Sequence, residues 1–416
     1  MILMLVAAFW ETEFGKNPPL SNKDKIVYGM RCEMWKDHYD TITKIDTQVV
    51  DELMVFDTTI STEVKGKAMS SSSPSLHLLR DKVGDVPFSI NRTIYCSRNT
   101  YDIFNKGKKL TLSATYTDHH FWEILDFKFL AGKPYYKTQF ENQEQVAVIA
   151  RKACAEYFGI SDDYENAIGK TLPMDGKSWT IIGVLADVDV SAGSVNSDVF
   201  VPYTNMPAFV LESKDYMGPF TAIYLADSPA NRTKIKSELI AKSKLIPLPD
   251  PESYENLDLK PMTYHEQYAR HLIYDDAPER SLQLVLGSFL TVMLLFFLLP
   301  TLNLINLNVS RIMERSSEIG VRKAFGAHQG NILSQFIIEN IIQTLLGGIL
   351  GLGLALLLIN VVNKGGHLGD VVLTLSPKFF LYSFLATLLF GVLSGLLPAY
   401  RMSKLQIVNA LKENTI

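Results

Sequence analysis

The sequence predicts an α+β membrane protein in which a large polar region precedes a helical transmembrane domain. A chain of 416 residues that is 47% hydrophobic is neither a disordered segment nor a small disulfide-rich domain. Charged side chains concentrate in residues 11–280, whereas long uncharged runs fill the residues that follow. The polar region mixes strand-like and helix-like patterns and shows no internal repeat.

The chain starts with a short apolar stretch, residues 1–10, which ends before Glu11. As a helix it would be about 15 Å long, roughly half of a bilayer crossing. We expect it to be the outer half of a first transmembrane helix whose cytoplasmic half is missing. A short amphipathic anchor and a signal sequence are the alternatives, although a signal peptide normally has a basic flank and a small-residue cleavage site.

Residues 11–280 predict one or two mixed α/β lobes. Alternating or β-branched stretches indicate strands, and apolar residues at helical spacing indicate helices. Strands are expected at Thr47–Asp57, Gln145–Ile149 and Trp179–Val184, and helices at Arg151–Phe158 and Ile235–Leu245. The serine run that ends at Pro74 is expected to be a surface loop, and the prolines between Pro247 and Pro251 a turn-rich connection.

The same region offers no catalytic or metal-binding constellation. His119 and His120 are adjacent, so on a strand they would point to opposite faces and could not bind one metal. Gly169–Thr171 resembles the end of a phosphate-binding loop, but Tyr164 stands where the first glycine is required. We therefore expect no enzyme activity, no metal and no nucleotide site in this chain.

Charge and cysteine content exclude two further classes. The net charge of −4 provides no basic field for a nucleic acid, so no nucleic-acid partner is expected. Cys32, Cys96 and Cys154 lack the spacing of zinc ligands. Three buried core residues, or one disulfide with one free thiol, are both compatible with the sequence.

Three uncharged runs predict membrane helices. Ser281–Ser310 is long enough to cross a bilayer and continue beyond it, with Pro300 as an expected kink. Its second half contains Asn303, Asn306 and Asn308, so we expect that half to face protein or headgroups. The other two runs are Asn340–Asn363 and Phe379–Tyr400, with the glycine pairs Gly347/Gly351 and Gly391/Gly395. Such pairs allow close helix approach, and generic helix packing is the simpler interpretation.

Basic residues in the short connections set the orientation. They are Arg311, Arg315, Arg322 and Lys323 after the first run, Lys364 and Lys378 at the edges of the next connection, and Arg401, Lys404 and Lys412 after the third run. The first connection and the carboxyl-terminal tail are therefore predicted to be cytoplasmic. Residues before Ser281 are then extracytoplasmic.

The connection Glu314–Asn340 carries the functional signal. Charged and apolar residues alternate at helical spacing, and Gly320, Gly326 and Gly330 are expected to break the segment into short turns. A short amphipathic helix on the cytoplasmic face suits docking to a partner. A solvated loop that only sets topology explains the pattern equally well.

Specific motifs resemble the MacB/FtsX family of ABC transporter permeases. The signature loop E-I-G-x-R-K-A-x-G-A is formed by Glu318, Ile319, Gly320, Arg322, Lys323, Ala324, Gly326 and Ala327. Ile332–Glu339 is similar to the continuation of that loop, and Pro398–Leu411 to the closing motif, with Ile407 in place of its proline. Phe121–Lys133 and Gln145–Leu185 resemble the MacB-type periplasmic core domain.

The resemblance implies four transmembrane helices, the first truncated here, and a two-lobed α/β periplasmic domain. The implied domains are a helix remnant at 1–10, a periplasmic domain at 11–280 with a β-rich lobe at roughly 100–195, and an FtsX-like domain at 281–416. Transmembrane helices are expected at about 281–309, 338–363 and 379–400, with the coupling loop at 311–337. The location implied is the inner membrane.

The function implied is that of a permease subunit without cofactors of its own. Its implied partners are an ABC ATPase that binds ATP and magnesium, a second copy or close paralogue, membrane lipid and a periplasmic adaptor. Glu314 and the motif residues would contact the ATPase, and the glycine pairs would serve helix packing; Glu339 is expected either to need a partner or to cap its helix. Export of a peptide, antibiotic or lipid-linked cargo is the leading hypothesis. Regulation of a periplasmic hydrolase or sensor kinase is the alternative, and a membrane-anchored enzyme the weakest.

Overall fold

The computed structural model describes residues 14–50, 53–105, 107–188, 195–273, 275, 277–365, 373 and 377–403. The predicted helix remnant at 1–10 and the closing residues from Lys404 onward lie outside the described residues. The chain divides into two compact units, one within residues 16–268 and the other from Ala269 onward.

The first unit is built around one sheet. Its strands are β1 (Ile26–Val50), β2 (Leu53–Ser72), β3 (Ser89–Asn105), β4 (Lys108–Thr117), β5 (Phe129–Gly132), β6 (Val146–Ala150), β7 (Thr171–Met174), β8 (Lys177–Leu185), β9 (Val199–Pro202), β10 (Phe220–Ala226) and β11 (Asn256–Thr263). Its helices are α1 (Phe121–Ile124), α2 (Lys137–Glu141), α3 (Arg151–Phe158), α4 (Ala208–Leu211), α5 (Asn231–Leu245) and α6 (Tyr264–Leu272). The strand order is β11-β1-β10-β3-β4-β9-β6-β8-β5, with β2 beside β1 and β7 beside β8.

The centre of the sheet is hydrophobic on both faces. Strand β6 reads VAVIA and β9 reads VFVP, and nearly all of these residues are buried. Continuous apolar strands of this kind are covered on both sides. The strand predicted at Gln145–Ile149 and the helix predicted at Arg151–Phe158 are confirmed, and Gly159 ends the helix with a φ of 71°. Residues 100–195 contribute strands to the same sheet, and the division into two lobes stays a prediction.

A long hairpin corrects two of the predictions. Thr47–Asp57 is not one strand, because β1 ends at Val50 and β2 begins at Leu53, its register partner. The strand-like pattern continues in both strands, so the pattern alone does not reveal where β1 ends and β2 begins. Ser70–Ser72 belongs to the end of β2 and is not a surface loop; Arg31 Nε donates to Ser71 Oγ at 2.6 Å.

A polar turn after β4 holds the aromatic core. Asp118 is buried and accepts hydrogen bonds from Thr93 Oγ1 (2.5 Å), Ile94 N (2.8 Å) and Phe121 N (3.0 Å). His119 and His120 lie on this turn, with ring centroids 4.0 Å apart, so the expectation that a strand separates them is wrong. A carboxylate side chain can satisfy the first amides of a helix, which is why the strand stops here.

The motif Phe121–Lys133 fills the core beside this turn. Trp122 packs against Phe127 and Phe200, with ring centroids 5.7 Å and 5.6 Å apart. Gly132 at the end of β5 has a φ of 65°, and a Cβ there would lie 2.9 Å from the carbonyl carbon of Ile182. Glycine is therefore required where β5 meets β8.

The three cysteines are free thiols buried in the first unit. Burial raises the pKa of Cys32 to about 12 and that of Cys96 to about 11. Of the two alternatives that the sequence left open, the structure has three buried core residues, and their thiols are chemically quiet because the thiolate is the reactive form.

The second unit is helical. It consists of α7 (Pro278–Glu314), α8 (Ser316–Ala324), α9 (Gln329–Gly365) and α10 (Pro377–Ser403). By length and composition two stretches of the described chain could cross a membrane, Pro278–Arg311 and Gly330–Gly365, and α10 holds a shorter apolar stretch, Phe380–Leu396. No residue in the most apolar window of α7 is fully buried by the described part of the chain. The full count of four transmembrane helices stays a prediction.

Candidate functional site

The candidate site is the α8 segment, residues 315–328, together with the polar contacts next to it on α7 and α9. Helix α8 ends at a turn in which Gly326 has a φ of 91° and Ala327 N donates to Arg322 O at 3.0 Å. Gly320 lies inside α8, and Gly330 lies in the first turn of α9. The prediction that all three glycines break the segment is therefore wrong for two of them, because a helix tolerates an isolated glycine at a modest cost.

The inner face of α8 packs on the start of α9. Ile319 and Ile332 are 8% and 7% exposed and touch each other, with Ala327 and Phe336 packed against them. Gly320 is also buried. This small apolar cluster holds the short helix against α9, since a helix of this length is marginal by itself.

Charged side chains of the motif contact each other and α9. Arg322 Nη2 pairs with Glu318 Oε1 at 2.5 Å, and Arg322 Nη1 donates to Gln335 Oε1 at 3.1 Å. Glu314, the last residue of α7, is exposed. Lys323 and Ala324 end α8, and the Lys323 side chain lies outside the described part. Arg322 therefore braces α8 against α9 from within the chain.

Phe325 is the most exposed large side chain of the segment, at 88%, and the neighbouring Val321 is 47% exposed. Phe325 occupies the unspecified position of the motif, between Ala324 and Gly326, so the sequence reasoning missed it. The available signal was a large apolar residue in a short polar turn.

Asn308 joins three helices of the second unit. Its Nδ2 donates to Asn340 Oδ1 on α9 at 3.1 Å and lies 3.4 Å from Ser394 O on α10. Asn340 Nδ2 in turn donates to Phe336 O at 3.1 Å. Asn308 and Ser394 are only 8% and 2% exposed. The polar half of α7 thus faces protein at this position.

Two further polar contacts join α7 or the α8 segment to α9. Arg311 Nη1 donates to Gln343 Oε1 at 3.2 Å, and Arg315 Nη1 pairs with Glu339 Oε2 at 3.5 Å. Glu339 therefore has an ion-pair partner, as one of the two expectations for it required. Both side chains are partly exposed, so the pair contributes little to stability by itself.

The two predicted glycine pairs lie in different surroundings. A Cβ built on Gly391 would lie 2.7 Å from Thr344 Cγ2, and one built on Gly395 would lie 2.6 Å from Asn340 Cγ. Gly347 has open space around its Cβ position, and Gly351 is half-buried. Glycine is needed only where α10 approaches α9 closely.

The candidate site combines paired polar side chains with an exposed apolar turn. Its polar groups are amides and ion pairs that are engaged with one another. Within the described part of the chain, no group of three or more His, Cys, Asp or Glu side chains could hold a metal ion. The segment exposes an apolar turn at the end of α8, and the Arg322–Gln335 hydrogen bond holds that helix against α9.

Comparison with known proteins gives two family matches in order along the chain. Residues 46–242 match the MacB-like periplasmic core domain, and residues 290–407 match the FtsX-like permease C-terminal domain. The first match covers most of the sheet-containing unit. The second covers most of α7, the α8 segment, and all of α9 and α10.

Curated relatives carry transporter names. The chain is 28% identical over 296 residues to the pyoverdine export ATP-binding/permease protein PvdT of Pseudomonas fluorescens (strain Pf0-1), covering 71% of this chain and 42% of that protein. It is 25% identical to the uncharacterized ABC transporter permease YknZ of Bacillus subtilis (strain 168), covering 70% of this chain and 68% of that one. The chain therefore spans less than half the length of the PvdT relatives.

A solved structure also aligns with part of the chain. It is the periplasmic region of MacB from Actinobacillus actinomycetemcomitans, with 14% identity and a TM-score of 0.32. The alignment covers 45% of this chain and 78% of the solved one.

Proposed function

Because this chain belongs to the MacB/FtsX type of ABC transporter permeases, we propose that it is the permease subunit of an export system driven by a separate ATPase. One observation carries the proposal, the succession of a MacB-like periplasmic core domain and an FtsX-like permease domain on one chain. The PvdT relatives, named for pyoverdine export, support an export role. The cargo class we propose is a peptide, an antibiotic or a lipid-linked compound, moved by a pair of permease copies.

The proposed topology assigns residues 16–268 and the α8 segment to different sides of the inner membrane. Helices α7 and α9 cross the bilayer, with α10 as a further crossing, and residues 16–268 lie in the periplasm. The basic residues Arg311, Arg315 and Arg322 support a cytoplasmic α8 segment. The unburied apolar surface of α7 supports its contact with lipid or with a second copy.

The proposed mechanism transmits movement and carries no chemistry in this chain. Closure of the ATPase subunits on ATP and magnesium would displace the docked α8 segment, and α7 would carry that displacement to the periplasmic domain. Arg322 supports this role from inside, because its bonds to Glu318 and Gln335 hold α8 in place. Phe325 is the proposed anchor, since it is 88% exposed. A periplasmic adaptor is a further proposed partner.

The test measures ATP hydrolysis by the full chain co-purified with its ATPase subunit in lipid nanodiscs. We expect the permease to stimulate hydrolysis. Burying an aromatic side chain is worth roughly 1.5–3 kcal/mol, so Phe325→Ser should weaken the apparent affinity for the ATPase by about 10-fold or more.

Phe209→Ser is the matched control, because Phe209 is 78% exposed but lies on α4 in the other unit. It should leave the stimulation unchanged. An equal effect of the two substitutions, or no effect of Phe325→Ser, would contradict the anchor role. Co-purification of a periplasmic hydrolase with no export phenotype on deletion would contradict the export role.

A further inference from the structure

Asn308 and Asn340 lie where the α8 segment, α7 and α9 are linked, the first of them buried and the second half-buried. We infer that the Asn308–Asn340 hydrogen bond is the enclosed one among the contacts between α7 and α9, and that α9 moves α7 through it when the α8 segment is displaced. Both residues are positioning residues, and the inference rests on the proposed function. The family motif contains neither of them.

The first link runs from α8 to α9. Ile319 on α8 packs against Ile332 on α9, and Arg322 reaches Gln335 at 3.1 Å. Displacing α8 therefore displaces the first turns of α9. This link consists of apolar packing and one polar contact, so it is short-ranged and direct.

The second link runs along α9 to Asn340. Phe336 packs against the Ile319–Ile332 cluster, and its carbonyl accepts a hydrogen bond from Asn340 Nδ2 at 3.1 Å. The Asn340 amide is thus oriented from its own helix, with its oxygen presented to Asn308. A Cβ on Gly395 would lie 3.1 Å from Asn340 Cβ, so α10 encloses the same side chain.

The third link joins α9 to α7. Asn308 Nδ2 donates to Asn340 Oδ1 at 3.1 Å, and its 8% exposure shows that the contact is enclosed. An enclosed amide in an apolar helix must keep its partner, since the alternative is an unsatisfied polar group. Helix α7 follows the periplasmic unit directly in sequence, so it is the output of the chain of contacts.

The same helix provides a matched comparison. Asn303 and Asn306 are also asparagines of α7, but both are exposed. If only the general polarity of this half of α7 mattered, substituting any of the three asparagines would have the same effect. If displacement passes through the enclosed contact, Asn308 is the only one of these three asparagines whose substitution should block it.

The experiment measures hydrogen exchange of the full chain with its ATPase in nanodiscs, with and without Mg-ATP and vanadate. The two reporters are peptides from residues 316–327 and from residues 278–290. The wild type should change at both. Asn308→Ala and Asn340→Ala should keep the change at 316–327 and lose it at 278–290, and the double variant should lose no more than either single variant.

Asn306→Ala should respond like the wild type at both reporters. The retained response at 316–327 shows that a variant is folded and docked, so a purely structural defect is distinguished from lost transmission. A response at 278–290 that survives in Asn308→Ala and Asn340→Ala would overturn the inference while leaving the proposed function intact. A wild type without any nucleotide-dependent change would overturn both.

Discussion

Asp118 shows how one residue makes the stability of the sheet-centred unit depend on pH. Burial raises the pKa of this carboxyl to about 6, although hydrogen bonds from Thr93, Ile94 and Phe121 favour its ionised form. The ordinary value is 3.8. The folded state therefore holds the proton more tightly than the unfolded state does, and stability falls as pH rises from about 4 to about 6.

The raised pKa of Asp118 predicts a measurable change of the free energy of unfolding with pH. Between pH 4 and pH 7 the Asp118 contribution should lower the free energy of unfolding by about 3 kcal/mol, at 1.36 kcal/mol per pKa unit. Asp118→Asn should remove that slope, at a constant cost because Ile94 N loses its acceptor. Thermal unfolding of the full chain at pH 4, 5, 6 and 7 measures both effects.

Asp102 is the control for this measurement, because its partners Lys109 and Thr111 do not change charge between pH 4 and pH 7. Hydrogen bonds from these two side chains lower the pKa of Asp102 below its ordinary value, so its contribution is lost only at pH values below that range. Asp102→Asn should leave the slope between pH 4 and pH 7 unchanged. A wild-type slope that persists in Asp118→Asn would show that other groups cause it.

At the scale of elements, the contact between α9 and α10 depends on small residues. Gly391 faces Thr344 and Gly395 faces Asn340, so the backbone of α10 approaches side chains of α9 directly. Membrane helices associate through such close packing because lipid supplies little hydrophobic driving force between them. Gly347 on α9 has no such neighbour in the chain.

Alanine substitutions at these glycines should act in opposite directions. Gly395→Ala places a Cβ 2.6 Å from Asn340 Cγ, and overpacking of this kind typically costs about 1–3 kcal/mol. Gly347→Ala meets open space and should stabilise the helix by up to about 1 kcal/mol. Unfolding of the full chain in detergent, followed by circular dichroism, measures the two shifts. The same sign for both variants would contradict the assigned contacts.

Whether a helix or strand could be predicted from the sequence depended on how clearly its hydrophobic pattern began and ended. The helices at Arg151–Phe158 and in the uncharged runs were predictable, because apolar spacing is repeated over several turns. The boundary between β1 and β2 was not, since strand-like residues continue in the sequence from one strand into the other. Gly320 and Gly330 were misjudged because a helix tolerates an isolated glycine at a modest cost.

The whole molecule combines a sheet-centred unit with a helical unit whose apolar surface is largely unburied. The proposed topology puts a membrane between the first unit and the α8 segment. Because all three native thiols are buried, the wild-type chain should react little with a thiol reagent. An added cysteine can therefore report which side of the membrane it occupies.

Two isosteric substitutions test that topology. Ser178 on β8 and Ser334 on α9 are both exposed. In spheroplasts, a membrane-impermeant maleimide should label Ser178→Cys at once and Ser334→Cys only after detergent is added. Mass spectrometry of the purified chain measures the extent of labelling. Equal labelling of both positions before detergent would place them on the same side and end the proposal.

The sequence by itself determined the class of protein, the extracytoplasmic position expected for residues 11–280 and the family resemblance. These follow from hydropathy, charge counts and contiguous motifs, which are properties of neighbouring residues. It also singled out Glu318 and Arg322, which are adjacent on one helix face and do pair.

Only the tertiary structure decided which side chains meet across helices. It paired Glu339 with Arg315, joined Asn308 to Asn340, and distinguished Gly395 from Gly347. It also revealed Phe325 as the exposed residue of the motif. The physical reason is that such contacts depend on how each helix is rotated and packed against its neighbours, and that rotation is set by the summed packing of all of them.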